Sequence, residues 1–365
     1  MKSFLPEPDK YPHLERKKYK IPDFIGNWEI YQNYTSNKAK KDHAFTKLAF
    51  ETLISRVSSS RVLEDEDPNQ TTVFTDAYRL EIDQRKVLGS GASGFVYPGT
   101  LKWAENTYEH DVAVKVSYHP QLLWQAQIMD LIQGTHLMSY LGSLVIAQPD
   151  DTNARDGLVY ALIMPRMQGS LQSWAAALSR EERQRRIHHT IMLQIWEGLV
   201  ELHSQGFAHR DVKLANMVYT WNEAGEMRVV ISDLDQATPI REIQDSGGTL
   251  GLLSREILLG QKFDPMSADV FAMAMSLLEL AMEEMSSNKD FRLLVWKIAI
   301  ESAKQSVVES SLVGLFNGSL SERQAHLLAK GLCEQEGDDN GVWKRRITAK
   351  EFLTELRLMI DSGLW

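Results

Sequence analysis

His209-Arg210-Asp211-Val212-Lys213-Leu214-Ala215-Asn216 decides how this chain is read. The stretch has the form H-R-D-x-K-x-x-N. At about one in twenty per fixed position, such a pattern arises by chance roughly once in ten thousand sequences of this length. A basic turn followed by a short strand needs none of that spacing. Phosphoryl transfer does need it: an acceptor hydroxyl must lie in line with the phosphate, and the phosphate charge must be neutralised. Asp211 can accept or orient the hydroxyl proton. Lys213, two residues on along an extended segment, points to the same side and can reach a terminal phosphate. Asn216 offers a side-chain oxygen to a metal ion. Arg210 is a fixed cation for pairing with a phosphate or carboxylate.

Working outward, Gly89-Ser90-Gly91-Ala92-Ser93-Gly94-Phe95-Val96 reads G-x-G-x-x-G-x-V. Alone this is a weak signal, shared with dinucleotide-binding turns. Those turns run from a strand into a helix. Here Tyr97-Pro98-Gly99 and the strand Asp111-Val112-Ala113-Val114-Lys115-Val116 follow, so the pattern is strand, loop, strand. Glycines in such a loop let backbone approach phosphates without a Cβ in the way. Downstream, Val229-Val230-Ile231-Ser232-Asp233-Leu234-Asp235 ends a strand in a carboxylate. It is expected to pair with Met217-Val218-Tyr219-Thr220 across the turn Asn222-Glu223-Ala224-Gly225. That hairpin brings Asn216 and Asp233 side by side as two oxygen ligands suited to Mg²⁺.

In this order the motifs resemble those of the eukaryotic-like protein kinase family, over roughly residues 80–360. The resemblance implies an α+β, two-lobed fold: a small β-rich lobe and a large, mainly helical lobe. It implies ATP and Mg²⁺ as cofactors and a protein as substrate. Asp211, Lys213 and Lys115 are then the catalytic set, and Asn216 and Asp233 the metal ligands. Gly89, Ser90, Gly91, Gly94, Val96, Ala113, Lys115, Met164 and Met167 form the nucleotide-binding set. Lys213, two positions after the aspartate, resembles Ser/Thr rather than Tyr kinases. Gly248-Thr249 and Ser254-Arg255-Glu256 resemble the end of an activation segment, with Thr249 on the catalytic loop and Glu256 paired to Arg346. Asp269 resembles the buried aspartate that holds the catalytic loop, and His209 a structural residue rather than a general base. Arg210 is expected to pair with a phosphate on the segment, Ser246 being the favoured site. The alternative is that Asp235 or Asp245 neutralises it without modification.

Two departures stand out. The strand lysine of an active kinase is usually held by a helix glutamate, yet no Glu occurs between Lys115 and Arg166. Gln127 is the best match to that position, with Gln125 and Asp130 as alternatives. Asp235 replaces the glycine of D-F-G, which should stiffen the segment or add a carboxylate near the metal. Every direct contact residue is nevertheless present. The expected function is therefore an active Ser/Thr protein kinase, a transferase that moves the γ-phosphate of ATP to a protein hydroxyl. The competing function is a pseudokinase scaffold that binds partners without turnover; a third is a kinase-fold enzyme acting on a small molecule.

Composition agrees with one two-lobed domain plus an extension. The chain has 365 residues, 43% of them hydrophobic, and a net charge of −9, which argues against a general nucleic-acid binder. Its single cysteine, Cys333, permits no intrachain disulfide and suits a reducing compartment. The first residues lack an apolar core, predicting no signal peptide, and no run is long enough to predict a membrane span. A cytoplasmic location is expected, the host cytosol if the chain is a delivered bacterial effector. The expected divisions are an N-terminal extension over 1–77, docked on the kinase, a small lobe over 78–165 and a large lobe over 166–365. Small-lobe strands are expected near 82–88, 94–101, 111–117, 144–147 and 158–164, with a helix over 122–141. Large-lobe helices are expected over 180–205, 266–285, 289–308, 321–332 and 348–360. Residues 38–57 predict a docking helix with Phe45, Leu48, Ala49, Leu53 and Ile54 on one face.

Overall fold

Leu80 and Ile82 alternate with Arg79, Glu81 and Asp83, the two-residue period of a strand with one face buried. In the computed structural model both are essentially inaccessible to solvent and sit in an apolar cluster with Val73, Leu101, Val112, Val114 and Ile163. The structure describes residues 61–64, 70–74, 78–91, 93–103, 109–119, 121–147, 158–179, 181–182, 189–240, 248–261, 263–282, 285, 288–302, 304–317, 319–333 and 346–364. The expected helix over 38–57 lies outside these residues, as do Asp245 and Ser246. The described residues form two compact units, one of 61–131 and 138–167, the other of 132–137 and 168–364.

The first unit is built on an antiparallel sheet of β1 (Arg61–Glu64), β2 (Gln70–Phe74), β3 (Tyr78–Asp83), β4 (Gly89–Gly91), β5 (Gly94–Trp103), β6 (Glu109–Ser117), β7 (Gly142–Ala147) and β8 (Leu158–Pro165). The strand order is β1-β2-β3-β5-β6-β8-β7, with β4 paired to β5. The strand expected over 82–88 instead spans 78–83. Asp83 ends it by accepting hydrogen bonds from the backbone N–H and Nε of Arg85, which turns the polar run that follows. The β1–β2 hairpin was not expected. Thr72 and Val73 carry its register into the sheet, and Val73 is fully buried in the core.

The helix expected over 122–141 ends at Leu131. Beyond it the backbone N–H groups of Thr135 and His136 donate to the Glu201 carboxylate at 3.2 and 2.8 Å. Tertiary acceptors thus replace the carbonyls that a longer helix would use. The second unit is largely helical. Its central helix, Pro265–Ala281, is capped by Asp264, starts on a proline and is buried along almost its whole length. Helix His189–Ser204 buries Ile191, Ile195, Leu199 and Leu202, the stripe expected from their spacing, and Gly206 follows at φ 85°. The single helix expected over 289–308 is two, Lys289–Glu301 and Gln305–Leu315; Ser302 terminates the first in an extended conformation. Helices Glu322–Leu332 and Ala349–Asp361 each open on a capping box. Among the described residues no helix is long and apolar enough to cross a membrane.

Because Val73 fills the core from outside the expected small lobe, Val73→Ala should cost about 2 kcal/mol of unfolding free energy by chemical denaturation. Removing residues 1–77, hairpin included, should lower the melting temperature. A melting curve unchanged by both would show that the hairpin contributes nothing to the core.

Candidate active site

Asp269 lies on the central helix with 2% of its surface exposed. Its Oδ2 accepts the backbone N–H of His209 at 2.7 Å, and its Oδ1 that of Arg210 at 2.8 Å. His203 Nε2 lies 3.0 Å from Oδ2. These bonds hold Arg210 at φ 68°, a left-handed conformation that an L side chain rarely adopts. His209 is fully buried, and its Nε2 lies 3.0 Å from the Ser232 carbonyl oxygen. A carbonyl can only accept, so Nε2 carries the proton. Nδ1 is then the acceptor for the backbone N–H of Asp211 at 3.3 Å. Both ring nitrogens are engaged with the backbone, which makes His209 structural, as its position suggested.

The loop so held presents Asp211. Lys213 Nζ donates to Asp211 Oδ2 at 2.6 Å, and Thr249 Oγ1 donates to Oδ1 at 2.6 Å. Lys213 Nζ also reaches Thr249 Oγ1 at 3.2 Å, closing a three-residue ring. Burial alone raises the pKa of Asp211. The hydrogen bonds from Lys213 and Thr249 and the nearby ammonium charge outweigh it, so the carboxyl lies below its ordinary value. Thr249 is delivered by Gly248 at φ 125°. A Cβ there would sit 2.7 Å from Leu253 Cδ2 and 3.1 Å from the Arg210 carbonyl oxygen. Only glycine fits so close to the loop that carries Asp211.

Asn216 stands just before β9 (Met217–Trp221), which pairs with β10 (Met227–Ile231) in the expected hairpin. Its Nδ2 donates to Asp211 O at 2.9 Å and to Asp211 Oδ2 at 3.2 Å. The amide nitrogen is thereby turned toward Asp211 and the amide oxygen away from it. Across the hairpin, the N–H and hydroxyl of Ser232 both donate to the Asn216 carbonyl, at 2.8 and 3.0 Å. Asp233 follows in the left-handed conformation, φ 61°. Leu234 is buried as the expected hydrophobic wedge, within a short 3-10 turn that includes Asp235. Asp235 is not at positive φ, so no glycine is required at this position in this conformation. Arg210 donates to Thr238 Oγ1 at 3.0 Å. Of the partners expected for Arg210, Ser246 and Asp245 lie outside the described residues.

The first unit carries the remaining expected residues. Gly89, Ser90 and Gly91 pair with Val96, Phe95 and Gly94 across the tight β4–β5 turn. Gly94 has φ 133°, and a Cβ there would run into the Val116 carbonyl. Lys115, near the end of β6, pairs with Val96 on one side and Leu162 on the other. Ala113 pairs with Met164 of β8; Pro165 closes that strand, and Met167 lies half-buried two residues on. Lys115 Nζ donates to Gln125 Oε1 at 3.0 Å, with both residues buried. Gln127, the expected partner, is displaced by Gln125, and Asp130 is exposed. The signal was in the helical spacing: 122, 125, 126 and 129 form one face, all buried, and 127 lies off it.

Away from the reacting groups, Glu256 and Arg346 form a buried pair. Arg346 Nη1 donates to Glu256 Oε1 at 2.7 Å, and Nη2 to Oε2 at 3.3 Å. Nη1 also donates to Ser267 O and Oγ. Burial raises the Glu256 pKa, but the charge and hydrogen bonds of Arg346 bring it below its ordinary value of 4.5.

Comparison with known proteins agrees with this geometry. The model of the protein kinase domain matches residues 82–355, well over half of the chain. A probable serine/threonine-protein kinase of Dictyostelium discoideum is 25% identical over 298 residues, 78% of this chain and 19% of that protein. A dual serine/threonine and tyrosine protein kinase of Tetraodon nigroviridis is 30% identical over 201 residues, 51% of this chain and 19% of that protein. The mitogen-activated protein kinase kinase kinase 3 of Arabidopsis thaliana is 33% identical over 89 residues, 24% of this chain and 16% of that protein. The matched stretches thus span less than a fifth of each relative. The chain belongs to the protein kinase family, and its fold is that family's two-lobed one.

The Glu256–Arg346 pair yields a stability test. Glu256→Gln should cost about 3–5 kcal/mol at neutral pH, because it leaves the Arg346 charge buried without its counter-charge. The folded pKa of Glu256 is depressed, so its contribution is present above 4.5 and lost as pH falls through the lower folded value. Denaturation at stepped pH should therefore show the gap between wild type and variant narrowing on the acid side. A gap that is constant or widens below pH 4.5 would contradict the pairing.

Proposed function

We propose that this member of the protein kinase family is a catalytically active serine/threonine kinase. It would transfer the γ-phosphate of ATP to a hydroxyl of a protein substrate, with Mg²⁺. The observation that carries this reading is the ring of Asp211, Lys213 and Thr249, assembled on one carboxylate at hydrogen-bond distance. Asp211, kept ionised by its partners, can accept the hydroxyl proton and orient the attacking oxygen. Lys213 is already aimed at the same oxygens and can shift toward the charge that develops on the transferred group. Thr249 fixes the carboxylate rotamer from the far side. Such positioning is the main catalytic resource in a reaction with little covalent work for the protein.

The residues present also fit the metal. Mg²⁺ is held by one or two protein oxygens, and phosphate oxygens and water complete its shell. No cluster of three or more His, Cys, Asp or Glu side chains suited to a metal occurs among the described residues. Asp233, with the amide oxygen of Asn216 turned away from Asp211, is the donor set of the kind required. When bound, the ion would neutralise phosphate charge. Lys115 would pair with the α- and β-phosphates, while Gly89, Gly91 and Gly94 give the loop its close backbone approach. Val96, Ala113, Met164 and Met167 would supply apolar contact to the adenine. The buried free thiol of Cys333 is in keeping with a cytoplasmic setting.

A second reading, a scaffold that binds partners without turnover, draws on the neutral Gln125 opposite Lys115. Incubation with labelled ATP, Mg²⁺ and a generic acceptor separates the two. Wild type should transfer phosphate, and Asp211→Ala should lower the rate by about a thousandfold or more without loss of fold. Wild-type transfer no greater than that of Asp211→Ala, on every acceptor tried, would leave the scaffold reading.

A further inference from the structure

We propose that the tip of the hairpin formed by β9 and β10 docks a basic segment of a protein partner, seating a lysine or arginine on Trp221. The site lies within the large unit and shares no residue with the set around Asp211. Trp221 ends β9 and is 43% exposed, although its cross-strand neighbour Met227 is buried. A lone exposed apolar side chain needs no explanation. This one is the outer rung of an aromatic ladder. Its ring meets that of Tyr219 nearly at right angles, with centroids 6.3 Å apart, and Tyr219 meets Trp174 at 6.3 Å. Trp174, on the helix Leu171–Ala176, is buried. Gly169 pairs with Tyr219 and leaves its ring room: a Cβ there would lie 3.2 Å from Tyr219 Cε1. The inner rungs are thus fixed, and they hold the outer one. The turn beside it is fixed as well. Asn222 N–H donates to the Glu226 carbonyl at 3.0 Å and Gly225 N–H to the Asn222 carbonyl at 3.0 Å. Glu226 N–H donates to Asn222 Oδ1 at 2.8 Å, and Asn222 Nδ2 to Glu226 Oε2 at 2.9 Å. A partner meets a surface already in place, which lowers the ordering cost of binding.

The sign of the charge selects the occupant. From Leu214 to Met227 the chain carries Glu223 and Glu226, both exposed, and no lysine or arginine. Arg228 pairs with Thr220, so it stands on the other face of the hairpin from Trp221, and it donates to the Thr135 carbonyl at 3.0 Å. The face of an indole ring is itself electronegative and takes cations. Ring and carboxylates therefore favour the same visitor. Nucleic acid and anionic lipid have the wrong sign. A second copy docked here about a two-fold axis would set the same acidic turn against itself. A lysine or arginine fits both parts, its apolar stem along the ring and its charged head toward the carboxylates.

The test reads peptide binding to the full chain by calorimetry. It needs no turnover, so it stands apart from the kinase reading. The probe is a short peptide bearing lysines and arginines, beside versions with glutamine or glutamate in their place. The basic peptide should bind, with an affinity that falls as salt rises, and the other two should bind about tenfold more weakly or not at all. Trp221→Ala should weaken the basic peptide about tenfold. Glu223→Gln with Glu226→Gln should weaken it several-fold and flatten the salt dependence. Melting temperatures are measured alongside. Should Trp221→Ala melt well below wild type, the double glutamine variant decides, because it keeps an acceptor for Asn222. Equal affinity for the basic and glutamine peptides would overturn the proposal, as would undiminished affinity in both variants. Binding of the glutamate peptide that depends on Trp221 would overturn it in favour of an anionic partner. Self-association that Trp221→Ala abolishes would overturn it in favour of a second copy.

Discussion

The large unit is organised around one carboxylate. Asp269 is rooted in the most deeply buried helix and spends both oxygens on consecutive backbone N–H groups, those of His209 and Arg210. An ionised acceptor makes these bonds stronger than neutral ones, and burial removes the competition of water. The strain of a left-handed arginine is thereby offset. Once the Arg210 backbone is fixed, the next residue, Asp211, emerges in a set direction. His209 ties the same loop to Ser232, the residue before Asp233. One buried carboxylate thus fixes the backbone that carries Asp211 directly and, through an imidazole, the strand end that carries Asp233.

The stretch from Gly248 to Glu256 adds a second layer. Gly248 lets the backbone lie against the Arg210 carbonyl, and Thr249 then reaches Asp211. The Glu256–Arg346 pair anchors the same stretch a few residues later, with Ser267 of the central helix sharing the guanidinium. Trp296 Nε1 reinforces it by donating to the Leu253 carbonyl at 2.9 Å. Three contacts of different chemistry therefore hold one short segment.

Much of this was legible in the sequence, because the motifs that carry the family resemblance are local. Asp211, Lys213 and Asn216 lie within six residues, and the hairpin that sets Asn216 near Asp233 is announced by its turn. The Glu256–Arg346 pair spans 90 positions, yet it too could be read from the family resemblance. What escaped was set by tertiary competition. The helix after Lys115 stops early because Glu201 captures the next amides, and no local feature of residues 132–141 reveals that acceptor. The β1–β2 hairpin was missed because its short, polar strands are bounded by an acidic turn and look like linker. Val73, in the core, shows why it belongs. Gln125 was ranked behind Gln127 by alignment to a motif, although the periodicity of its own helix placed it on the buried face.

The role of Asp269 can be tested directly by amide hydrogen exchange on Asp269→Asn. An asparagine offers one oxygen and one NH₂, so whichever way it turns, one of the two loop N–H groups loses its acceptor. Exchange at His209 and Arg210 should then accelerate strongly, while amides of the buried helix Pro265–Ala281 keep their protection. Unchanged exchange at both loop amides would contradict the claim that Asp269 holds the His209–Asp211 loop.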